Sequence, residues 1–87
     1  MKTVEIIPIA EKKLKKRGIK RELVENTLLD STQIVDGYGG RKVAHKKILI
    51  DDKEYLLRVV YEETDIMYTV VTTYITSKIE RYWRGEE

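Results

Sequence analysis

The chain has 87 residues, no cysteine, 41% hydrophobic residues and 37% charged residues. This length allows one domain with a core, and the lack of cysteine excludes disulfides and thiolate metal sites. No run approaches the ~18–20 apolar residues that a membrane-spanning helix needs, and no signal-peptide pattern opens the sequence. We therefore expect a single cytoplasmic domain over residues 1–87 that does not associate with membranes.

The net charge of +2 is unevenly distributed along the chain. Residues 1–47 hold 12 Lys/Arg against 6 Asp/Glu, whereas residues 48–87 hold 5 against 9. The basic half favours an anionic partner such as nucleic acid, although a solvated helix face explains it equally well. The scarcity of Asn and Gln beside many Lys and Glu residues is typical of proteins from thermophiles.

The first third of the chain predicts a strand followed by two helices. Residues 2–7 fit a strand, and Pro8 suits the first turn of a helix over residues 9–17. Gly18 is the expected end of that helix. A second helix is predicted over residues 20–29, because four of its side chains have the spacing of one buried stripe: Leu23, Val24, Thr27 and Leu28.

A glycine-rich loop separates this region from the strands that follow. Residues 33–35 fit a short extended segment, and residues 36–40 hold three glycines that permit positive φ angles. The loop lacks the Gly-Lys-Ser/Thr ending of a phosphate-binding loop. A flexible turn and a ligand loop both remain compatible with it.

Residues 41–61 predict a β-hairpin around which the chain is organised. With the turn at Asp52-Lys53, Lys47 faces Arg58 across the two strands. Two opposed cations destabilise a sheet, so a bound phosphate, water or a carboxylate such as that of Glu80 should compensate them. The face that they share is predicted to carry Arg41, His45, Lys47 and Arg58.

Residues 66–75 form the strongest predicted strand, because nearly all are β-branched, aromatic or Met. A four-residue turn before it would place Tyr68, Val70, Thr72 and Tyr74 on the apolar face. The aromatic tail at Tyr82 and Trp83 is expected to dock against the sheet. The order β-α-α-β-β-β predicts an α+β fold with two N-terminal helices packed on one face of a mainly antiparallel sheet.

The inventory of reactive side chains narrows the chemistry. One histidine and no cysteine leave no residues with metal-ligand spacing, and no triad, dinucleotide or Walker motif is present. We therefore expect no metal and no cofactor.

The cationic face could support cleavage of a phosphodiester by an adjacent 2′-hydroxyl. That reaction needs a cation near the developing charge and groups that transfer protons. Arg58 suits charge stabilisation because guanidinium pairs with phosphate, and Lys47 lies near it. His45, with Tyr82 or Tyr74, could transfer protons. Each of these residues also has a purely structural explanation.

Three stretches of the sequence resemble a known family. The first includes KRGI at residues 16–19, and the second is GRKVAHK at residues 40–46. The third contains LRVVY at residues 57–61 and VTTYITSK at residues 71–78. The chain is thereby similar to a family of small bacterial and archaeal proteins of unknown function, grouped with the RelE/ParE toxin superfamily. Active toxins often carry another arginine on the last long strand, where this chain has Thr72, Thr73 and Tyr74.

The resemblance implies a RelE/ParE-like fold and a toxin-like RNA endoribonuclease that cleaves free or ribosome-bound RNA and is held by an antitoxin protein. Arg58, Lys47, His45 and Tyr82 are the candidate catalytic residues. The candidate contacts to nucleic acid are Arg41, Lys46, Lys78 and Arg81. The alternative is a non-catalytic module of the same fold that binds protein or nucleic acid, with a homodimer as one form of assembly.

Overall fold

The computed structural model describes residues 2–83, which form five strands and three helices. The strands are β1 (Thr3–Ile6), β2 (Gln33–Asp36), β3 (Lys42–Ile50), β4 (Lys53–Glu63) and β5 (Met67–Thr76). The helices are α1 (Pro8–Arg17), α2 (Arg21–Leu29) and α3 (Ile79–Tyr82), and a single 3-10 turn covers Tyr38–Gly40.

The strands form one sheet in the order β1-β5-β4-β3-β2. Strand β1 runs parallel to β5, and the other neighbours are antiparallel. The fold is therefore α+β with a mixed sheet, in agreement with the predicted class. Among residues 2–83, the helices are all too short or too polar to cross a lipid bilayer.

Helix α1 ends where the sequence predicts and begins one residue earlier, at Pro8. Pro8 occupies its first turn, and Gly18 follows it with a φ of 70°, a left-handed conformation that glycine adopts without steric cost. The N–H of Ile19 donates to the carbonyl of Leu14 at 2.9 Å, which satisfies a carbonyl that the helix itself leaves unpaired.

Both N-terminal helices share one hydrophobic core with the sheet. Ala10 and Leu14 come from α1, and Val24 and Leu28 come from α2. The sheet contributes residues that we call its core face: Ala44, Leu57, Val59, Tyr61 and Val70. The alternate residues of β3 and β4, including His45, Lys47 and Arg58, lie on the opposite side, which we call the outer face.

The β3–β4 turn lies one residue before its predicted position, which shifts the cross-strand pairing by two residues. Asp51 and Asp52 form a two-residue loop with φ of 52° and 68°, and Ile50 pairs with Lys53. Positive φ at both positions gives the twist that suits a tight hairpin, and Asp tolerates it better than Lys does. Because the shift is two residues, the predicted faces are retained while the predicted cross-strand partners are wrong.

A β-bulge divides the β4–β5 ladder between Val60 and Tyr61. On one side of it Tyr61 pairs with Val70, and on the other side Val60 pairs with Thr72. One extra residue in β5 reverses its alternation at that point. The core placement predicted for Tyr68 and Val70 is therefore confirmed, whereas Thr72 and Tyr74 lie on the outer face.

The Asp-Asp turn supplies a test of this register. We expect Asp52→Gly to raise the free energy of unfolding by about 0.5 kcal/mol, because glycine adopts a positive φ without strain. Urea unfolding measures the change. Asp52→Ala is the matched control and should lower stability. Equal stability of the two variants would contradict a left-handed residue at this position.

Tyr61 supplies a second test, at alkaline pH. Burial raises the pKa of Tyr61, and the charges of Glu63 and Tyr68 raise it further. The folded state thus binds the phenolic proton more tightly than the unfolded state, whose pKa is about 10. This contribution to stability is complete below pH ~10 and is lost as the pH rises through the folded pKa.

We expect Tyr61→Phe to lose less unfolding free energy than the wild type between pH ~9 and ~11. The pKa of Lys2, raised by its hydrogen bond to Glu63, contributes a loss in the same direction in both proteins. The difference between the two curves therefore isolates Tyr61. Parallel curves would show that its phenol does not link stability to pH.

Candidate functional site

A row of polar side chains crosses the outer face of the sheet through four neighbouring strands. Gln33 on β2 pairs with His45 on β3, His45 pairs with Arg58 on β4, and Arg58 pairs with Tyr74 on β5. Residues directly opposite each other in antiparallel strands share a face. We call these four residues the polar row.

Hydrogen bonds connect the members of the polar row. Arg58 Nε donates to His45 Nε2 at 3.0 Å, and Arg58 Nη1 donates to the hydroxyl of Tyr74. His45 Nδ1 lies 3.1 Å from Gln33 Oε1. Because guanidinium can only donate, Nε2 must accept, so the imidazole is neutral with its proton on Nδ1, where it donates to Gln33.

The positive charge of Arg58 has no carboxylate partner within residues 2–83. Arg58 is half-buried, and its side-chain hydrogen bonds go to an imidazole and a phenol. None of the ion pairs formed in this part of the chain includes it, so the proposed salt bridge to Glu80 is not formed. A guanidinium held by neutral groups keeps its full capacity to pair with an anion.

Lys47 lies on the outer face near Arg58 but not opposite it. Its partner across the ladder is Leu56, because the turn lies at Asp51-Asp52, one residue before the predicted position. The predicted destabilising pair of directly opposed cations therefore does not occur. Lys47 is exposed, whereas His45 is fully buried, with 0% of its surface accessible.

The ring of Tyr82 lies against the guanidinium of Arg58. The distance from Arg58 Cζ to the ring centroid is 4.0 Å, a cation–π contact. Tyr74 meets the same ring edge-on, with centroids 6.3 Å apart and planes at 73°. The expected docking of the aromatic tail is therefore confirmed for Tyr82.

Trp83 lies over the other half of the site. Its ring stacks on His45, with centroids 6.0 Å apart and planes at 24°. The ammonium of Lys47 lies 4.3 Å from the Trp83 ring centroid. We call Tyr82 and Trp83 the aromatic cover, since together they contact four outer-face residues of the site.

An open cleft of about 670 Å³ adjoins the aromatic cover. Both acidic and basic side chains line it, and Lys47 belongs both to the cleft and to the outer face. The residues around it include Lys47, Glu54, Ser77, Lys78, Glu80 and Arg81.

The other predicted nucleic-acid contacts are divided among three places. Lys78 and Arg81 line the cleft. Arg41 pairs with Glu62 at 3.0 Å, and Lys46 lies on the core-face side of β3, opposite Leu57. No group of three or more His, Cys, Asp or Glu side chains in residues 2–83 is arranged to hold a metal ion.

Gln33 is the member of the site that sequence reasoning missed. The glycine-rich loop closes a hairpin between β2 and β3, with the N–H of Gly37 donating to the carbonyl of Arg41 at 2.7 Å. Pairing the two strands symmetrically about that loop places Gln33 opposite His45. The sequence contains a signal for this pairing, because residues 33–35 fit an extended segment.

A double-mutant cycle tests the link between His45 and Arg58. His45→Phe keeps a planar ring but removes the acceptor, and should cost about 1–3 kcal/mol of unfolding free energy because the Arg58 donor loses its partner. Arg58→Met removes the donor. The two effects should couple by about 0.5–3 kcal/mol, measured by denaturant unfolding. Additive losses would mean that the hydrogen bond does not contribute to stability.

Comparison with known proteins does not assign the chain to a family. No protein-family profile, no curated protein and no solved structure matches the chain. What the molecule does must therefore be inferred from the geometry of the polar row and the aromatic cover.

Proposed function

We propose that the protein is a toxin-like RNA endoribonuclease of RelE/ParE type, in which α1 and α2 pack on one face of the sheet and the outer face cleaves RNA. The observation that carries the proposal is the charge of Arg58, which no carboxylate in residues 2–83 neutralises. A half-buried cation whose partners are neutral is suited to an anionic substrate.

The proposed reaction is attack of a 2′-hydroxyl oxygen on the adjacent phosphorus. The new O–P bond forms as the bond to the 5′ oxygen breaks, giving a 2′,3′-cyclic phosphate and a free 5′-hydroxyl. The 2′ proton leaves to solvent, and Tyr82 gives its phenolic proton to the leaving 5′ oxygen and regains one from water. Arg58 and Lys47 stabilise the charge on the phosphoryl oxygens in the transition state.

His45 is proposed to position Arg58 and not to transfer the proton itself. Its Nε2 accepts from Arg58 Nε, and its Nδ1 faces Gln33 Oε1. Both ring nitrogens are therefore engaged inside the protein. This arrangement fixes the guanidinium plane, as pre-organised catalytic donors require.

The second candidate function is a binding module without catalysis. The observation that favours it is the coverage of the reactive groups: His45 is fully buried and Tyr82 lies on the guanidinium of Arg58. In this alternative the outer face is a structural cluster, and cationic residues such as Lys78 and Arg81 contact a nucleic acid or protein partner.

Cleavage of single-stranded RNA distinguishes the two functions. In EDTA, with and without ribosomes, we expect the wild type to produce fragments ending in 2′,3′-cyclic phosphate. Arg58→Lys should lower the rate about 10²–10³-fold, because Lys keeps the charge but loses the fixed donor geometry. RNA with 2′-deoxy substitution should not be cleaved.

Arg21→Lys is the matched control for this experiment. Arg21 is an exposed arginine of α2 that pairs with Glu25 and donates to the carbonyl of Val4, so its replacement leaves the outer face intact. It should cleave at the wild-type rate. If Arg58→Lys cleaves equally well, Arg58 does not have the proposed catalytic role. If the wild type cleaves neither free nor ribosome-bound RNA, the binding module is correct.

The toxin context is tested in cells. Production of the wild type in the cytoplasm of a host cell should arrest growth and deplete transcripts, whereas production of Arg58→Lys should do neither. Co-production of a neighbouring antitoxin should restore growth. Growth arrest that persists in Arg58→Lys would contradict a cleavage-based toxin.

A further inference from the structure

Within residues 2–83, the contacts that hold the Trp83 indole on the outer face are made through its ring. It stacks on His45 and meets the ammonium of Lys47. Among the hydrogen bonds of residues 2–83, none is made by the indole N–H or by the Tyr82 hydroxyl. Both rings are half-buried, and no hydrogen bond from their polar atoms to residues 2–83 fixes their position, so the aromatic cover is a weakly specified contact.

The backbone of the covering segment is equally independent of the sheet. Helix α3 spans only Ile79–Tyr82, and no side chain caps its N-terminus. Its backbone hydrogen bonds are local, from Arg81 N–H to the Lys78 carbonyl and from Trp83 N–H to the Ile79 carbonyl. Within the described residues, none joins α3 or Trp83 to a strand, so Trp83 can leave His45 without breaking the sheet ladder.

The chemistry of the contact identifies what could replace the indole. Indole and purine are both flat fused systems of a five- and a six-membered ring. Unpaired nucleobases stack on aromatic side chains, histidine among them. His45 thus provides a stacking floor, and Lys47 and Arg58 beside it provide charges for the phosphate that accompanies a base.

We propose that Trp83 occupies, in the free protein, a subsite for one unpaired purine base of a single-stranded nucleic acid. The proposal rests on the proposed function, since it names the substrate class of the same site. The purine displaces Trp83 from His45, and its phosphate meets Arg58 and Lys47. The strand continues into the cleft, where Lys47, Lys78 and Arg81 outnumber Glu54 and Glu80.

Deoxyribonucleotide probes test binding apart from cleavage, because they lack the 2′-hydroxyl. Three heptamers are compared: all thymidine, thymidine with one central adenine, and thymidine with one central abasic site. The central adenine should tighten binding about tenfold over the abasic probe, with thymine between them. Trp83 is the sole tryptophan of the chain, so its emission should shift to the red as binding exposes it to water.

The variant Trp83→Ala tests whether the indole blocks the proposed subsite or itself stacks on the base. With the competing indole removed, labelled probes should bind more tightly by fluorescence anisotropy, and Trp83→Phe should fall between the alanine variant and the wild type. Far-UV circular dichroism checks that each variant is folded. If both variants bind more weakly, the indole is itself the binding platform and the proposal is wrong.

Two further outcomes overturn the proposal. Equal affinity for the adenine, thymine and abasic probes would mean attraction to phosphate only, and unchanged Trp83 emission on saturation would mean that the indole is not displaced. Failure of the proposed function looks different: a protein that binds the adenine probe as expected but never cleaves RNA keeps the subsite and loses the catalysis.

Discussion

Arg58 places a guanidinium on the middle strand of the sheet, and the surrounding outer face is arranged to hold it. Burying a charge without partners is costly, so three neutral groups surround it: the imidazole of His45, the hydroxyl of Tyr74 and the ring of Tyr82. Its backbone is fixed as well, because Thr73 Oγ1 donates to the Arg58 carbonyl at 3.0 Å. The neutral tautomer of His45 follows from the same constraint, since only an unprotonated Nε2 can accept from the guanidinium.

Two local backbone features bring these groups together. The left-handed residues Asp51 and Asp52 set the β3–β4 register that places His45 opposite Arg58. The bulge between Val60 and Tyr61 shifts β5 by one residue and brings Tyr74 opposite Arg58. Had the register beyond the bulge continued unchanged, Thr73 would have taken that position and the phenol would have faced the core. Bulges frequently re-aim a side chain in this way near functional sites.

The alternation of side chains along strands and the Pro and Gly residues at helix ends explain how much of the fold the sequence could predict. Pro8 and Gly18 bound α1 because their backbone preferences are local, and the outer-face placement of His45, Lys47 and Arg58 survived a two-residue error because strand side chains have a period of two. The turn position and the bulge could not be predicted from alternation. Each depends on how the whole ladder packs, and each changes which residue lies opposite Arg58. The turn removes Lys47 from its predicted place opposite Arg58, and the bulge places Tyr74 there. The contact of Trp83 with His45 could not be predicted either, because it depends on where the C-terminal segment lies on the sheet.

The kind of compensation that Arg58 receives bears on whether the site can exchange ligands. A cation–π contact contributes about 0.5–2 kcal/mol, whereas a hydrogen bond between charged groups contributes about 1.5–3 kcal/mol, and a phosphate can form two with one guanidinium. Tyr82 therefore satisfies the packing of Arg58 without competing strongly for its charge. A carboxylate in that place would have neutralised the guanidinium and raised the cost of binding any anion. The aromatic cover therefore leaves the charge of Arg58 available for a stronger interaction, which in the proposed function is with a phosphate.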